Sequence, residues 1–215
     1  MKPQIRQAQG FTLLELVLVT ILVSIMATAL APIVLASLHA YNSTLGDMLV
    51  LDKLRYSTER IAREIRGVQY ASSTLSPATT CNDSPSTTDH YCITAMSSNN
   101  FVFRRSYTDA AGTTTWRTVT IGAATCSTGA CVTLAYSDMS ATGVQVLTDE
   151  LGATSNLALA YYQQDGTTAA TLAGNTNCTV TNTCVRYIEI NLTLRHNNNN
   201  YTQRTRVELR NPPLS

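Results

Sequence analysis

The spacing of apolar residues changes twice along this chain. Between Phe11 and Ala31 nearly every residue is apolar, and Glu15 is the only ionisable side chain. Over residues 42–67 apolar residues recur every three or four positions, and beyond residue 68 they alternate with polar ones. In order, these patterns predict a wholly apolar helix, an amphipathic helix and a series of β-strands.

The first stretch is long enough to cross a bilayer, because a helix over 11–31 spans roughly 30 Å. Lys2 and Arg6 precede it, and positive charge on that side predicts a cytoplasmic N-terminus. A carboxylate inside such a span costs roughly 2.5–3.5 kcal/mol at the bilayer centre, so Glu15 indicates a functional residue with a partner. The alternative for Glu15 is a carboxylate that only reaches out to the interface.

A cleavable secretory signal peptide is a second interpretation of this stretch. Ala29-Leu30-Ala31 offers the small residues that such a cleavage site needs. The apolar region is longer than the usual ~7–15 residues, however, and Pro32 would directly follow the cut. The helical pattern also continues beyond Pro32, which predicts a proline kink there and not the end of the helix.

The second helical stretch has one apolar face and one charged face. Opposite charges four residues apart, Glu59 with Arg63 and Arg60 with Glu64, favour a solvated face, and polar contacts between subunits are the alternative. Gly67 is placed to act as a C-cap. The predicted apolar face comprises Met48, Leu51, Leu54, Thr58, Ile61, Ile65 and Val68, and the charged face carries Asp52, Lys53, Arg55, Glu59, Arg60, Arg63, Glu64 and Arg66.

Beyond the helix, segments with strand patterns are separated by turn-forming residues. The clearest alternation lies in Tyr187–Arg195, and the polar residues 196–200 predict a hairpin with the last strand. Asp165-Gly166 predicts another turn, and residues 70–91 predict a long loop. The predicted strands are Tyr91–Met96, Phe101–Tyr107, Thr113–Ile121, Cys131–Tyr136, Gly143–Leu147, Asn156–Gln163, Val185–Arg195 and Thr202–Arg210.

Composition and motifs argue against several function classes. The formal net charge is +1 and only 13% of residues are charged, so a nucleic-acid-binding surface is not indicated. No Gly-x-Ser-x-Gly elbow, phosphate-binding glycine loop or His-Glu-x-x-His motif is present, so we expect neither an enzyme nor a cofactor. His90 alone is too weak a signal for catalysis. Asp138, Asp149 and Glu150 lack the spacing of a calcium loop, and Trp116 with the tyrosines is more typical of a core than of a binding patch.

The six cysteines all follow residue 80 and fall into three close sets. In an oxidising compartment this arrangement predicts a disulfide framework. Each set lies in one stretch rich in Thr, Ser and Asn, which favours three local bridges, although a free set or a crossed connectivity stays open. No set has the CxxC spacing, so a zinc site is not expected. The sets are Cys81 with Cys92, Cys126 with Cys131, and Cys178 with Cys184.

The start of the apolar stretch resembles the processing signal of a known family. Gly10-Phe11-Thr12-Leu13-Leu14-Glu15 is similar to the class III signal of type IV prepilins and type II secretion pseudopilins. The resemblance implies that a prepilin peptidase cleaves between Gly10 and Phe11 and methylates the new N-terminal amine of Phe11. It also implies that Glu15 pairs with the N-terminal amine of a neighbouring subunit during assembly.

Two further motifs are similar to one group of minor pilins. Glu59–Arg66 and Arg210-Asn211-Pro212-Pro213 resemble segments of J pseudopilins, PilW-like pilins and MshO of the MSHA pilus. The resemblance implies a minor pilin that initiates, caps or is sparsely incorporated in a type IV pilus. A minor pseudopilin of a type II secretion system and a pilus-tip adhesin are the alternatives.

The resemblance also implies an organisation and a location. The expected fold is α+β and pilin-like, with a long N-terminal helix packed on an antiparallel β-sheet domain with disulfide-pinned loops. Residues 1–10 would form a leader peptide, 11–31 a transmembrane helix, 32–67 its amphipathic continuation and 68–215 an exported β-rich domain. The chain would cross a bacterial inner membrane once, with its C-terminal domain in the periplasm, and then enter a pilus or pseudopilus. Its expected partners are prepilin peptidase and other major and minor pilins.

Overall fold

The computed structural model describes residues 12–71, 81, 90–108, 112, 114–127, 129–137, 144–175 and 183–210. Gly10, Phe11, Cys178 and the Asn211-Pro212-Pro213 motif lie outside these ranges. The described chain is α+β, with one long apolar N-terminal helix, antiparallel sheets and two disulfides. It divides into two compact units, one ending at Asp47 and the other beginning at Met48.

The long helix α1 (Leu13–Ile65) extends from the first unit into the second. Leucine, which has high helix propensity, is the commonest residue of its first half. As predicted, α1 continues through Pro32. Because proline has no N–H, the Thr28 carbonyl lacks its usual helical donor at that point. A bend at Pro32 stays a prediction.

In the second unit α1 buries one stripe of side chains. Val50, Leu54 and Ile65 are at most 3% exposed and belong to the core. The prediction was wrong for Met48 and Leu51, which are 57% and 49% exposed, and it omitted Val50. Apolar residues occupy two adjacent stripes of this helix, and only contact with the sheets decides which of them is covered. The predicted residues confirmed as buried are Leu54, Thr58, Ile61, Ile65 and Val68.

The end of α1 differs from the predicted glycine cap. The N–H of Gly67 donates to the Glu64 carbonyl (2.9 Å), and the N–H of Val68 donates to the Ile65 carbonyl (3.1 Å). These three-residue spacings tighten the last turn into a 3-10 geometry. Gly67 does not have a positive φ, so the left-handed cap is absent at this residue. The small size of Gly67 matters instead, since a Cβ there would lie 3.1 Å from the Glu64 carbonyl oxygen.

Ten antiparallel strands are described beyond α1. They are β1 (Tyr70–Ala71), β2 (His90–Tyr91), β3 (Ile93–Met96), β4 (Asn100–Thr108), β5 (Thr114–Cys126), β6 (Gly129–Tyr136), β7 (Gln145–Thr148), β8 (Leu157–Tyr162), β9 (Tyr187–His196) and β10 (Asn199–Glu208). Five form a meander in the order β3-β4-β5-β6-β7, three form a sheet in the order β10-β9-β8, and β1 pairs with β2. Neighbours in each sheet are neighbours in the chain, so short turns suffice to connect most of them.

The predicted strands are present with shifted ends, and two shifts have a clear cause. One predicted strand is split into β2 and β3, because the Cys92 N–H donates to the Gln69 carbonyl (2.8 Å) and the Cys92 carbonyl accepts from the Arg104 N–H (2.7 Å). The turn predicted over 196–200 is only Asn197-Asn198, whose φ angles of 47° and 68° suit a two-residue hairpin. As a result, β9 and β10 pair over their full length.

Both larger sheets contribute their apolar faces to one core with α1. Phe101 of β4 and Tyr161 of β8 place their ring centroids 5.6 Å apart, and the Tyr161 hydroxyl donates to the Ser97 carbonyl (2.9 Å). Burial raises the pKa of Tyr161 well above its ordinary value. The alternation predicted for β9 is confirmed, since Ile188, Ile190, Leu192 and Leu194 are fully buried.

Two of the predicted disulfides are present. Cys81 is bonded to Cys92, and Cys126 is bonded to Cys131 across the β5–β6 hairpin. The Cys81 carbonyl also accepts a hydrogen bond from the Arg104 guanidinium (3.1 Å), which ties residue 81 to β4. The third predicted bridge involves Cys178, outside the described residues, and stays a prediction.

Candidate functional site

Glu15 lies in the first turn of α1. The Glu15 N–H donates to the Thr12 carbonyl (3.0 Å) and lies 3.3 Å from Thr12 Oγ1, and the Leu16 N–H donates to the same carbonyl (3.2 Å). Thr12 is therefore the N-cap and Glu15 the third helical residue, which is the spacing of a capping box. A carboxylate there also lies near the positive end of the helix dipole. This role of Thr12 was not predicted, although the Thr-x-x-Glu spacing is its sequence signal.

The first unit presents an apolar surface along its described length. Residues 12–45 are all exposed, including large apolar side chains such as Leu14 (76%) and Met26 (63%). Among the described helices, α1 is long and apolar enough, by length and composition, to cross a membrane. Soluble monomers rarely expose continuous apolar surface of this size, so this part of α1 requires lipid or protein around it.

Hydroxyl groups within this apolar surface bond to the backbone of their own helix. Thr20 Oγ1 donates to the Val17 carbonyl (2.9 Å), Ser24 Oγ donates to the Thr20 carbonyl (2.7 Å), and Ser37 Oγ donates to the Ile33 carbonyl (2.9 Å). Lipid offers no hydrogen-bond partner, so a side chain that is satisfied within the helix is compatible with a bilayer. The Glu15 carboxylate, the only ionisable side chain between residues 12 and 31, cannot donate to a helix carbonyl in this way.

No cation on α1 is close enough to pair with Glu15. The next ionisable side chain is His39, which is about 36 Å further along at 1.5 Å per residue. Within the described chain no side chain bonds to the Glu15 carboxylate. A partner must therefore come from the preceding residues or from another molecule. Gly10 and Phe11, the predicted cleavage pair, lie outside the described residues, so their processing stays a prediction.

The charged face of α1 in the second unit is not uniformly solvated. Glu64 was predicted to be on the solvated face, but it is only 2% exposed. Its Oε1 accepts from the Tyr136 hydroxyl (2.8 Å) and lies 3.2 Å from Arg60 Nη2, and its Oε2 lies 2.6 Å from Arg105 Nη1. Glu64 thus links α1 to β4 and β6 through buried hydrogen bonds and ion pairs, and its carboxylate is not exposed to another subunit.

The two ion pairs within the charged face of α1 differ in burial, since Glu64 is buried and Glu59 is exposed. The predicted Arg60–Glu64 pair is confirmed, but Glu59 pairs with Arg55 (2.9 Å) and not with Arg63. Burial, together with the hydrogen bond to Glu64, raises the pKa of Tyr136. The charged residues of this face that are exposed are Asp52, Lys53, Arg55, Glu59, Arg63 and Arg66.

Other candidate residues do not assemble into a site. Asp149 and Glu150 both face Lys53 Nζ, at 3.7 and 2.8 Å, and the hydrogen bond that Lys53 donates to Glu150 raises the pKa of Lys53. The Lys53 ammonium therefore offsets part of the negative charge of these two carboxylates. His90 Nε2 lies 3.4 Å from Cys81 Sγ. In the part of the chain that the structure describes, no three His, Cys, Asp or Glu side chains are close enough to hold a metal ion.

Neither protein-family models, nor curated proteins, nor solved structures match this chain. The functional interpretation therefore depends on the motif at residues 10–15, on the exposed apolar part of α1 and on the disulfide-bonded β-rich unit.

Proposed function

We propose that this chain is a minor pilin, a structural subunit that initiates, caps or is sparsely incorporated in a type IV pilus. The observation that carries the proposal is the lone Glu15 carboxylate on an exposed apolar helix, with no cation on that helix closer than about 36 Å. A carboxylate in lipid costs roughly 2.5–3.5 kcal/mol at the bilayer centre and less toward the interface, and a helix that only anchors a domain does not need one. Glu15 therefore serves something other than anchoring.

An α-amino group is the partner that suits Glu15. Cleavage after Gly10 would create a new amine on Phe11, and such an amine is mostly cationic at neutral pH. Pairing it with the carboxylate of a neighbouring subunit offsets the cost of placing both charges in lipid. The same pair sets the axial register of the two helices, because only one relative position brings the groups together.

The second unit supports an exported location. Cys81–Cys92 and Cys126–Cys131 are bonds typical of an oxidising compartment, and Lys2 and Arg6 favour a cytoplasmic N-terminus. In the proposed life cycle the chain is inserted in a bacterial inner membrane, processed by prepilin peptidase and then joined to other pilins. The motif at residues 59–66 favours an MSHA-like pilus, and a minor pseudopilin of a type II secretion system would use the same machinery.

Processing is tested first by intact mass and N-terminal analysis of the full chain, made with and without a prepilin peptidase. Loss of residues 1–10 and gain of one methyl group, only when the peptidase is present, is the expected result. A cut after Ala31 in both hosts would show that the stretch is an ordinary signal peptide, and the proposed assembly role of Glu15 would be abandoned.

Assembly is tested with Glu15→Ala in cells that make filaments. We expect the variant to be processed and to accumulate in the membrane but to be absent from sheared filaments, because its register-setting charge is gone. Glu59→Ala is the matched control, since it removes a carboxylate from an exposed position of the same helix. Normal incorporation of the Glu15 variant would contradict the charge-pairing account.

A further inference from the structure

Strand β10 forms one edge of its sheet. The order β10-β9-β8 gives it a single neighbour, and its ladder with β9 has no register shift. Because Asn197-Asn198 is a two-residue loop, the odd-numbered residues of β10 exchange backbone hydrogen bonds with β9. The Leu209 N–H donates to the Arg186 carbonyl (2.9 Å), which continues the same alternation.

The even-numbered residues of β10 direct their N–H and C=O groups away from the sheet. Within the described chain these backbone groups have no hydrogen-bond partner. The other described edges are short or occupied: β3 and β7 contain four residues each, and β8 bonds along its outer side to Ser98 and Ala170. The even-numbered residues are Asn200, Thr202, Arg204, Arg206 and Glu208.

Charged side chains often protect an edge strand from pairing with another chain. In β10 the Arg204 and Arg206 side chains instead contact residues of their own unit. Arg204 bonds to Glu189 (2.7 Å). Arg206 lies over the Tyr162 ring, 4.5 Å from its centroid, and donates to the Gly166 carbonyl (2.8 Å). The backbone of β10 is therefore accessible to another strand.

We propose that the β10 edge binds an extended segment of a different polypeptide that carries acidic side chains opposite Arg204 and Arg206. Such a segment would extend the sheet by one strand, with backbone hydrogen bonds supplying affinity and side chains supplying selectivity. Arg206 has no carboxylate partner in the described chain, and the Glu208 carboxylate is already bonded to Arg186 (2.9 Å). The unneutralised charge of this edge is thus positive.

A second copy of β10 is a poorer partner than an acidic strand. Antiparallel pairing of two copies, centred anywhere on residues 204–206, would place arginine opposite arginine. Like charges directly opposite each other destabilise a strand pair, whereas opposite charges stabilise it. The inference does not depend on the proposed pilin function, because it uses only the geometry of the second unit.

The test uses the full chain in detergent micelles and a synthetic decapeptide of alternating threonine and valine, with glutamates at the two positions facing Arg204 and Arg206. We expect binding to slow the amide exchange of Thr202, Arg204 and Arg206 and to leave the already bonded Gln203 amide unchanged. A peptide with lysines at those two positions should bind about tenfold more weakly, because both cross-strand charge pairs become repulsive.

Two proline variants distinguish the outward-facing backbone groups of β10 from those that bond to β9. Thr202→Pro removes an outward N–H and should abolish peptide binding with little change in Tm, while Gln203→Pro removes a bond to β9 and should lower Tm. If Thr202→Pro does not fold, Arg206→Glu replaces it. It reverses one of the two cross-strand charge pairs with each peptide, so it should remove most of the tenfold difference between the glutamate and lysine peptides. The proposal is overturned if the glutamate peptide protects no edge amide at about 1 mM, if both peptides bind equally, or if folded Thr202→Pro binds like the parent chain.

Discussion

Glu64→Gln tests the buried cluster that joins α1 to the meander sheet. The substitution keeps the size of the side chain and removes its charge. In the parent chain the 2% exposed Glu64 contacts Arg105 (2.6 Å), the Tyr136 hydroxyl (2.8 Å) and Arg60 (3.2 Å). After the change two arginines face a neutral amide, and one of the two carboxylate acceptors is lost.

The expected loss of stability follows from burial. Breaking a buried ion pair costs roughly 3–5 kcal/mol. The Arg60 and Arg105 side chains are 27% and 28% exposed, so water screens part of their charge. We therefore expect the free energy of unfolding to fall by about 2–4 kcal/mol. A loss of about 3 kcal/mol corresponds to a folding equilibrium constant roughly 150-fold smaller.

Urea unfolding of the full chain in detergent, followed by Trp116 fluorescence, measures this loss. Trp116 is the single tryptophan and lies in β5, so its emission reports on the sheet. Glu59→Gln is the matched control, because Glu59 also pairs with an arginine four residues away (2.9 Å) but both side chains are more than half exposed. We expect no measurable change for the control. Equal losses for the two variants would refute the argument that burial gives the cluster its strength.

Two further predictions concern the loops. Replacing the Cys81–Cys92 bridge by serines should lower the free energy of unfolding by about 0.7 kcal/mol more than replacing Cys126–Cys131, because the sequence separations are 11 and 5 and closing a longer loop removes more entropy from the unfolded chain. Urea unfolding of both variants measures this difference, and a larger loss for the shorter loop would contradict it. The Asp165 pKa is lowered to about 2, first by the Thr168 hydroxyl and then by backbone N–H groups. Since the folded value lies below the unfolded one, this stabilisation is present above the ordinary carboxyl range and is lost as the pH falls toward 2. Thr168→Val should raise the titration midpoint of Asp165 measured by NMR, and an unchanged midpoint would show that the hydroxyl is not the cause.

Local patterns were sufficient for the long helix and for most strands, but not for β1 and β2, which form at the two ends of the segment predicted to be a long loop. The periods of the apolar residues are local properties, so the long helix, its continuation past Pro32 and the alternation in β9 followed directly from the sequence. Two disulfides also followed, because their cysteines are close in the chain. The candidate assembly site is local too, since Glu15 is the lone charge of its apolar stretch and Thr12 stands at capping distance from it.

The local sequence was enough to predict most of the segments that become helix or strand, but contacts between distant segments set which of their surfaces are buried. Glu59 and Glu64 each have an arginine four residues away, so the spacing of charges does not distinguish them. Glu64 is buried only because Arg105 and Tyr136, 41 and 72 positions away, meet it across the sheet. The exposure of Met48 and the open edge of β10 likewise depend on which elements become neighbours. Neighbours are set by contacts between distant residues, and a local pattern contains no information about those contacts.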